Sequence, residues 1–160
     1  MREILFRGKT ISGGKWVTGV PVPVKKAARG TDDIVLVERI DFFDFDNRFP
    51  VVAPDTIGQF TGLYDKNGKR IFEGDIVRHY CDHNDSSHYD TGTVFFNSRA
   101  AQFRRTTDGT FHHGVAKTYS MSAGIIYEIV GNIHDNPELR PEPLHQVAEY
   151  EEYEEDDEYD

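Results

Sequence analysis

IGQFTGLYDKNGKRIFEGDIVR, running from Ile57 to Arg78, decides the fold class of this chain. It reads as a strand, a turn, a second strand and a corner. Asn67-Gly68 is the strongest local turn signal. A two-residue type I′ hairpin needs positive φ at both central positions, and Asn-Gly meets that need at least steric cost. The flanks, Phe60 to Tyr64 and Arg70 to Phe72, are aromatic and aliphatic enough for strands. Glu73-Gly74-Asp75 interrupts the pattern before Ile76-Val77 resumes it, as a bulge or tight corner would. Asp75 is expected to cap that corner.

Upstream, Ile4 to Ile11 and Trp16 to Val20 predict a hairpin around Ser12-Gly13-Gly14-Lys15, with Trp16 anchoring the core at that end. Pro21-Val22-Pro23-Val24 reads as an edge or crossing segment, because proline has no amide hydrogen for a ladder. Lys25 to Asp33 is a polar loop, and Ile34 to Val37 a short β-branched strand. Between Ile40 and Phe49, four phenylalanines are mixed with Asp41, Asp44 and Asp46, which reads as a strand and loop with Phe inward and Asp outward, or more sharply as an acidic-aromatic partner surface.

Downstream, Thr93 to Phe96, Gln102 to Arg105 and Thr110 to His112 predict a small meander, with Asp108-Gly109 as a second turn. Gly114 to Gly124 reads as loop. Ile125, Tyr127, Ile129 and Ile133 are expected on one face of a last strand by period-two alternation. Asn136-Pro137-Glu138-Leu139 ends the fold. No amphipathic helix and no fixed-period repeat is found. Short strands with glycine-rich corners predict a mainly β protein. An N-terminal β subdomain covers residues 1–56, a small SH3-like barrel 57–139, and an acidic tail 140–160.

The net charge is −10, and its distribution is uneven. Glu149 to Asp160 holds nine of the 28 acidic residues and no basic one, which leaves 19 acidic against 18 Lys+Arg in the rest. A run of like charge cannot bury enough surface to offset chain entropy, so disorder is expected there. One cysteine, Cys81, forbids an internal disulfide and fits a reducing compartment. No stretch approaches the roughly 18 consecutive apolar residues of a membrane span. The expected location is the cytoplasm, without membrane contact.

Three blocks of the sequence are similar to the YopX family of phage and prophage proteins. The first is Ile4-Leu5-Phe6-Arg7-Gly8 with Gly14-Lys15-Trp16-Val17-Thr18-Gly19. The second runs from Thr56 to Leu63, then Asp65 to Lys69 and Ile71 to Val77. The third is Tyr127 to Ile133 with Asn136 to Leu139. The resemblance implies an all-β fold with a C-terminal SH3-like part and a home in the cytoplasm of a host bacterium. It carries over no catalytic or binding residue.

Candidate chemistry gathers in four places. His79, Cys81 and His83 would share one face of an uninterrupted strand, and His88, His112 or His113 could complete a tetrahedral Zn²⁺ set. Structural zinc sites, however, show two ligand pairs on turns, and here there is one thiol and no second pair. Glu73 and Asp75, with Asp65, could serve a hydrolase. Asp at a turn is equally explained by local backbone bonding. Arg99, Arg104, Arg105 and Lys117 could form a basic patch with Phe95, Phe96 and Phe103 as stacking faces. Yet residues 57–139 hold eight basic and ten acidic residues, the wrong sign for phosphate neutralisation. The fourth is the tail. Glu151, Glu152, Tyr153, Glu154, Glu155, Asp156 and Asp157 are candidate partner contacts, offering charge at near-phosphodiester spacing and an aromatic ring.

No catalytic, cofactor-binding or metal-ligating residue is therefore assigned. The expected function is that of a non-enzymatic phage or prophage accessory protein. It would act through protein–protein contacts, with a partner of unknown identity or a second copy, and could modulate a host factor or defence system. The alternative is a nucleic-acid-associated module in phage replication or regulation.

Overall fold

Asn67-Gly68 does turn the chain, but by a different route from the one expected. The computed structural model describes residues 3–25, 32–37, 50–80, 88–107 and 118–140. In it Gly68 has φ +78°, whereas Asn67 is not in the positive-φ region. The turn is thus not type I′. It is a longer loop closed by Asp65 N–H to Lys69 O at 2.8 Å and Gly68 N–H to Asp65 O at 2.9 Å. The Asp65 carboxylate explains the difference. Its Oδ1 accepts the amides of Asn67 at 2.8 Å and Lys69 at 2.9 Å, so a side chain supplies the acceptor that a tight turn would draw from backbone.

Six strands form the first sheet: β1 (Phe6–Lys9), β2 (Trp16–Lys25), β3 (Asp32–Val37), β4 (Val51–Val52), β5 (Gly58–Tyr64) and β6 (Arg70–Phe72). Their order is β4-β3-β2-β1-β5-β6, antiparallel throughout. Gly13 and Gly14 take φ +93° and +62° in the first turn, as the Gly-Gly pair predicts. β2 runs straight through Pro21 and Pro23. Its first half, Trp16 to Gly19, pairs with β1; its second half, Val20 to Lys25, pairs with β3. Proline cannot donate, so neither Pro21 nor Pro23 supplies an N–H to the sheet. β4 returns to the start of the sheet. Ile11 N–H bonds Val51 O at 3.0 Å and Ala53 N–H bonds Lys9 O at 2.9 Å. A Cβ on Gly8 would lie 3.1 Å from Val52 Cβ, so glycine admits this approach.

The second sheet contains β7 (Asp75–Tyr80), β8 (Tyr89–Asn97), β9 (Gln102–Thr106), β10 (Thr118–Ser120) and β11 (Tyr127–Asn132), in the order β10-β9-β8-β7-β11. Residues 118–120, expected to be loop, are a strand that lengthens the β9 edge. β11 is bulged between Ile129 and Gly131. The bulge breaks the alternation, so Ile133 does not follow Ile125 and Ile129 onto the core. Its side chain instead lies over Gly74.

Between the sheets lies a core of Ile71, Val77, Val94 and Tyr127, with Leu63, Met121, Ile125 and Ile129 packed around it. Each such side chain withdrawn from water contributes about 1.5–3 kcal/mol. The ladders do not break at residue 57, since β5 pairs with β1 through Phe6–Gln59 and Arg7–Gly58. The Ile57–Arg78 stretch thus supplies the last two strands of one sheet and the first of the other. No helix among the described residues is long and apolar enough to cross a membrane.

Candidate functional site

The carboxylates of the Glu73-Gly74-Asp75 corner are occupied in joining the two sheets. Gly74 takes φ +78° and lets the chain double back from β6 into β7. Asp75, 1% exposed, accepts the Phe72 amide at 2.8 Å on Oδ2 and meets Arg7 Nη2 at 2.6 Å on Oδ1. Burial pushes the Asp75 carboxyl up, against the opposing pull of the Arg7 charge. Arg7 also donates to Glu73 O at 3.1 Å, and its guanidinium lies 4.6 Å from the Trp16 ring centroid and 5.0 Å from that of Phe72. The Glu73 carboxylate accepts Gln59 N–H of β5 on one oxygen at 2.9 Å and Phe96 N–H of β8 on the other at 3.1 Å.

Asp65 performs the same service at the far end of the hairpin. Its Oδ2 accepts the Ile129 amide at 3.3 Å, and Lys66 N–H bonds Tyr127 O at 2.8 Å. The outer edge of β11 is thereby covered by the β5–β6 turn. Burial raises the Asp65 carboxyl, but the amides of Lys69, Asn67 and Ile129 together hold it below its usual range.

Trp16, expected as a core anchor, is half-buried and works as a latch. Its indole Nε1 donates to Asp135 Oδ2 at 2.6 Å, and Lys9 Nζ lies 2.5 Å from Asp135 Oδ1. Bonds from Asn132, Lys9 and Trp16 hold the Asp135 carboxyl far below its ordinary range.

A second charge cluster lies buried in the second sheet. Asp90, 1% exposed, pairs with Arg105, 3% exposed, at 2.7 Å. His79 Nδ1 lies 3.4 Å from the same Asp90 oxygen. Tyr127 packs its ring 6.1 Å from that of His79, and burial pushes its phenol up. An aspartate behind a histidine is a motif of acid–base catalysis. Here Arg105 takes the aspartate as an ion pair, which is a sufficient structural role.

These contacts redistribute the residues singled out from sequence. His79 is engaged with Asp90, while Cys81, His83, His112 and His113 lie outside the described residues. Among the described residues no group of three metal-ligating side chains occurs. Arg105 is buried and Arg104 Nη2 donates to Thr118 O at 2.6 Å, so neither joins Arg99 in an open basic patch; Lys117 lies outside the described residues. Phe103 is buried and meets Phe96 edge-on at 5.2 Å. Glu151, Glu152, Tyr153, Glu154, Glu155, Asp156 and Asp157, and the Phe/Asp stretch before Pro50, lie outside the described residues too.

One half-buried constellation went unread in the sequence. Tyr80 of β7 and Tyr89 of β8 are cross-strand partners with ring centroids 6.0 Å apart. Lys66 Nζ sits 4.7 Å from the Tyr80 centroid, and the Arg78 guanidinium 4.7 Å from that of Tyr89. The carboxylate among them is Glu128, which accepts the Tyr80 hydroxyl and lies 3.0 Å from Lys66 Nζ. Those two bonds, Tyr80's first, lower the Glu128 carboxyl. Period-two alternation places Arg78 and Tyr80 on one face of β7 and could have indicated them. Lys66 arrives from a distant turn, which no local pattern reveals.

Comparison with known proteins agrees with the three sequence blocks. The match to the YopX protein family covers residues 6–140. This chain belongs to the YopX family. The geometry joins the three YopX blocks: Arg7 of the first meets Glu73 and Asp75 of the second, and Asp65 of the second meets Ile129 of the third. No curated protein sequence matches the chain. Among solved structures it is similar to the crystal structure of protein EF1440 from Enterococcus faecalis, at 23% identity and a TM-score of 0.47, over 87% of this chain and 99% of that one.

Proposed function

We propose that this YopX protein is a non-enzymatic phage or prophage accessory protein that acts through protein–protein contacts in the cytoplasm of a host bacterium. One observation carries the reading. The carboxylates most suggestive of chemistry (Asp65, Glu73, Asp75 and Asp90) are each bonded to backbone amides, an arginine or both, and each holds strands together. Among the described residues, a half-buried tyrosine pair flanked by cations offers recognition chemistry, and the sequence of Glu149–Asp160 adds a run of acidic charge. We read residues 57–139 as an SH3-like module, supported by the meander of β7 to β9 and by the Asp65–Lys66 turn across the edge of β11. A pull-down from host lysate with the full chain, and with Glu149–Asp160 deleted, tests the proposal. A partner retained by the full chain and lost on deletion is the expected result. Equal capture by both chains would remove the acidic segment from the contact.

A second reading is a nucleic-acid-associated module in phage replication or regulation. The feature favouring it is the Tyr80–Tyr89 pair, because bases stack on aromatic rings beside cations. A gel shift with single-stranded DNA decides it. Absence of binding at low salt, where phosphate contacts are strongest, eliminates the reading.

A further inference from the structure

We propose that the acidic segment Glu149–Asp160 of this chain docks on its own Tyr80–Tyr89 face. The inference is independent of which external partner the protein takes. It starts from charge complementarity. The face presents Lys66 and Arg78 beside two tyrosine rings, with Glu128 as the carboxylate at its centre. The segment carries nine carboxylates, three tyrosines and no cation in twelve residues. Carboxylates answer the cations, and its tyrosines are suited to edge-on or offset contact with Tyr80 and Tyr89.

Reach is the second argument. Glu128 lies on β11, the strand that delivers the chain to its end, and four residues of strand from Glu128 to Asn132 span about 13 Å. Two tight turns follow, with Asn136 N–H bonded to Asn132 O at 2.9 Å and Arg140 N–H to Pro137 O at 3.2 Å, so residues 133–140 add little length. Residues 141–148 extend to about 28 Å, enough to return to the face within one molecule. Such a tether places the segment at an effective concentration of about millimolar, so weak, exposed ion pairs suffice to populate the contact. The docked segment covers the cations and rings that an acidic partner or a nucleic acid would use, and anything that displaces it frees both surfaces together.

The single cysteine, Cys81, follows Tyr80 directly in sequence and provides the probe. A nitroxide is attached to Cys81 of the full-length protein, and amide signals of residues 149–160 are followed by NMR at low salt and at about 1 M salt, where the screening length falls to about 3 Å. The expected result is several-fold broadening of those signals at low salt, relieved at high salt and absent in the Lys66→Glu/Arg78→Glu variant. A second variant, Glu151, Glu152, Glu154 and Glu155→Gln with Asp156 and Asp157→Asn, leaves the described fold untouched and should release the segment equally. Sharp signals at both salts, or broadening that survives neutralisation of the segment, would overturn the proposal. A mixture of nitroxide-bearing and isotope-labelled chains distinguishes the occupant. Broadening that appears between chains and not within one assigns the face to a second copy, and likewise overturns it.

Discussion

Arg7 Nη2 and Asp75 Oδ1 lie 2.6 Å apart, joining the first strand of one sheet to the first strand of the other. Asp75 is 1% exposed and the arginine is clamped between Trp16 and Phe72. Removing one member of a buried pair leaves the other charged, desolvated and alone, at a cost of about 3–5 kcal/mol. Arg7→Ala is therefore expected to lower the unfolding free energy by about that amount in urea titration. Arg7→Lys should rescue only part, because an ammonium lacks the planar group that stacks on both rings while reaching Asp75 and Glu73 O. A loss below about 1 kcal/mol for Arg7→Ala would show that the pair is solvated in solution.

The Asp65 carboxylate accepts three backbone amides, those of Asn67, Lys69 and Ile129. Asp65→Ala removes the acceptor of these part-buried donors, and a donor left without an acceptor costs about 1 kcal/mol, up to about 3 kcal/mol where water cannot reach it. The expected outcome is destabilisation of at least that size, with fast hydrogen exchange at Asn67, Lys69 and Ile129. Asp65→Asn keeps an acceptor oxygen and should restore part of the protection. If exchange at Ile129 is unchanged in Asp65→Ala, the turn does not hold the edge of β11.

The strands of this fold are legible in the sequence where a local rule applies, and illegible where a remote residue decides. Gly74 announces its corner because glycine alone takes φ +78° without strain. Tyr127 and Ile129 announce an inward face by alternation. Asn67-Gly68 indicates a turn but not its type, because the deciding group is the carboxylate of Asp65. Thr118 to Ser120 have no apolar alternation; they become a strand only because β9 offers an unpaired edge. The charge pairs are harder still. Arg7 and Asp75, or Asp90 and Arg105, carry no periodic signature, since their separation in sequence is set by topology. The sequence placed carboxylates near one corner but could not say that their partners were amides and an arginine.

Asp90 makes stability depend on acid. Burial raises its carboxyl, but the His79 hydrogen bond and the Arg105 charge outweigh that, so the folded value lies below the unfolded one. A depressed folded value contributes stability that is complete above the unfolded pKa, about 3.9, and is lost as pH falls toward the folded value. Asp90→Asn should thus cost about 3–5 kcal/mol at pH 7, where Arg105 is left unpaired. The gap between wild type and variant should shrink below about pH 4. Urea unfolding of both proteins from pH 7 to pH 3 checks this. A gap that stays constant over the range would show that the ion pair contributes nothing that titrates.

Gly92 sits where β8 passes under the end of β9, and a Cβ there would lie 1.8 Å from Thr106 O. The obstacle is backbone, so a rotamer change cannot relieve it; the two strands must separate. Their ladder also carries Val94 into the core and holds Arg105 against Asp90. Gly92→Ala is accordingly expected to cost about 3 kcal/mol or more, lowering Tm by roughly 10 °C. Gly124 is the matched control, since a Cβ there meets nothing within 4 Å and the residue is not at positive φ. Gly124→Ala should be neutral or stabilise by up to about 1 kcal/mol through the unfolded chain's lost freedom. Equal melting temperatures for the two variants would mean that β9 does not cross β8 at Gly92, and that the buried Asp90–Arg105 pair is built on a different register.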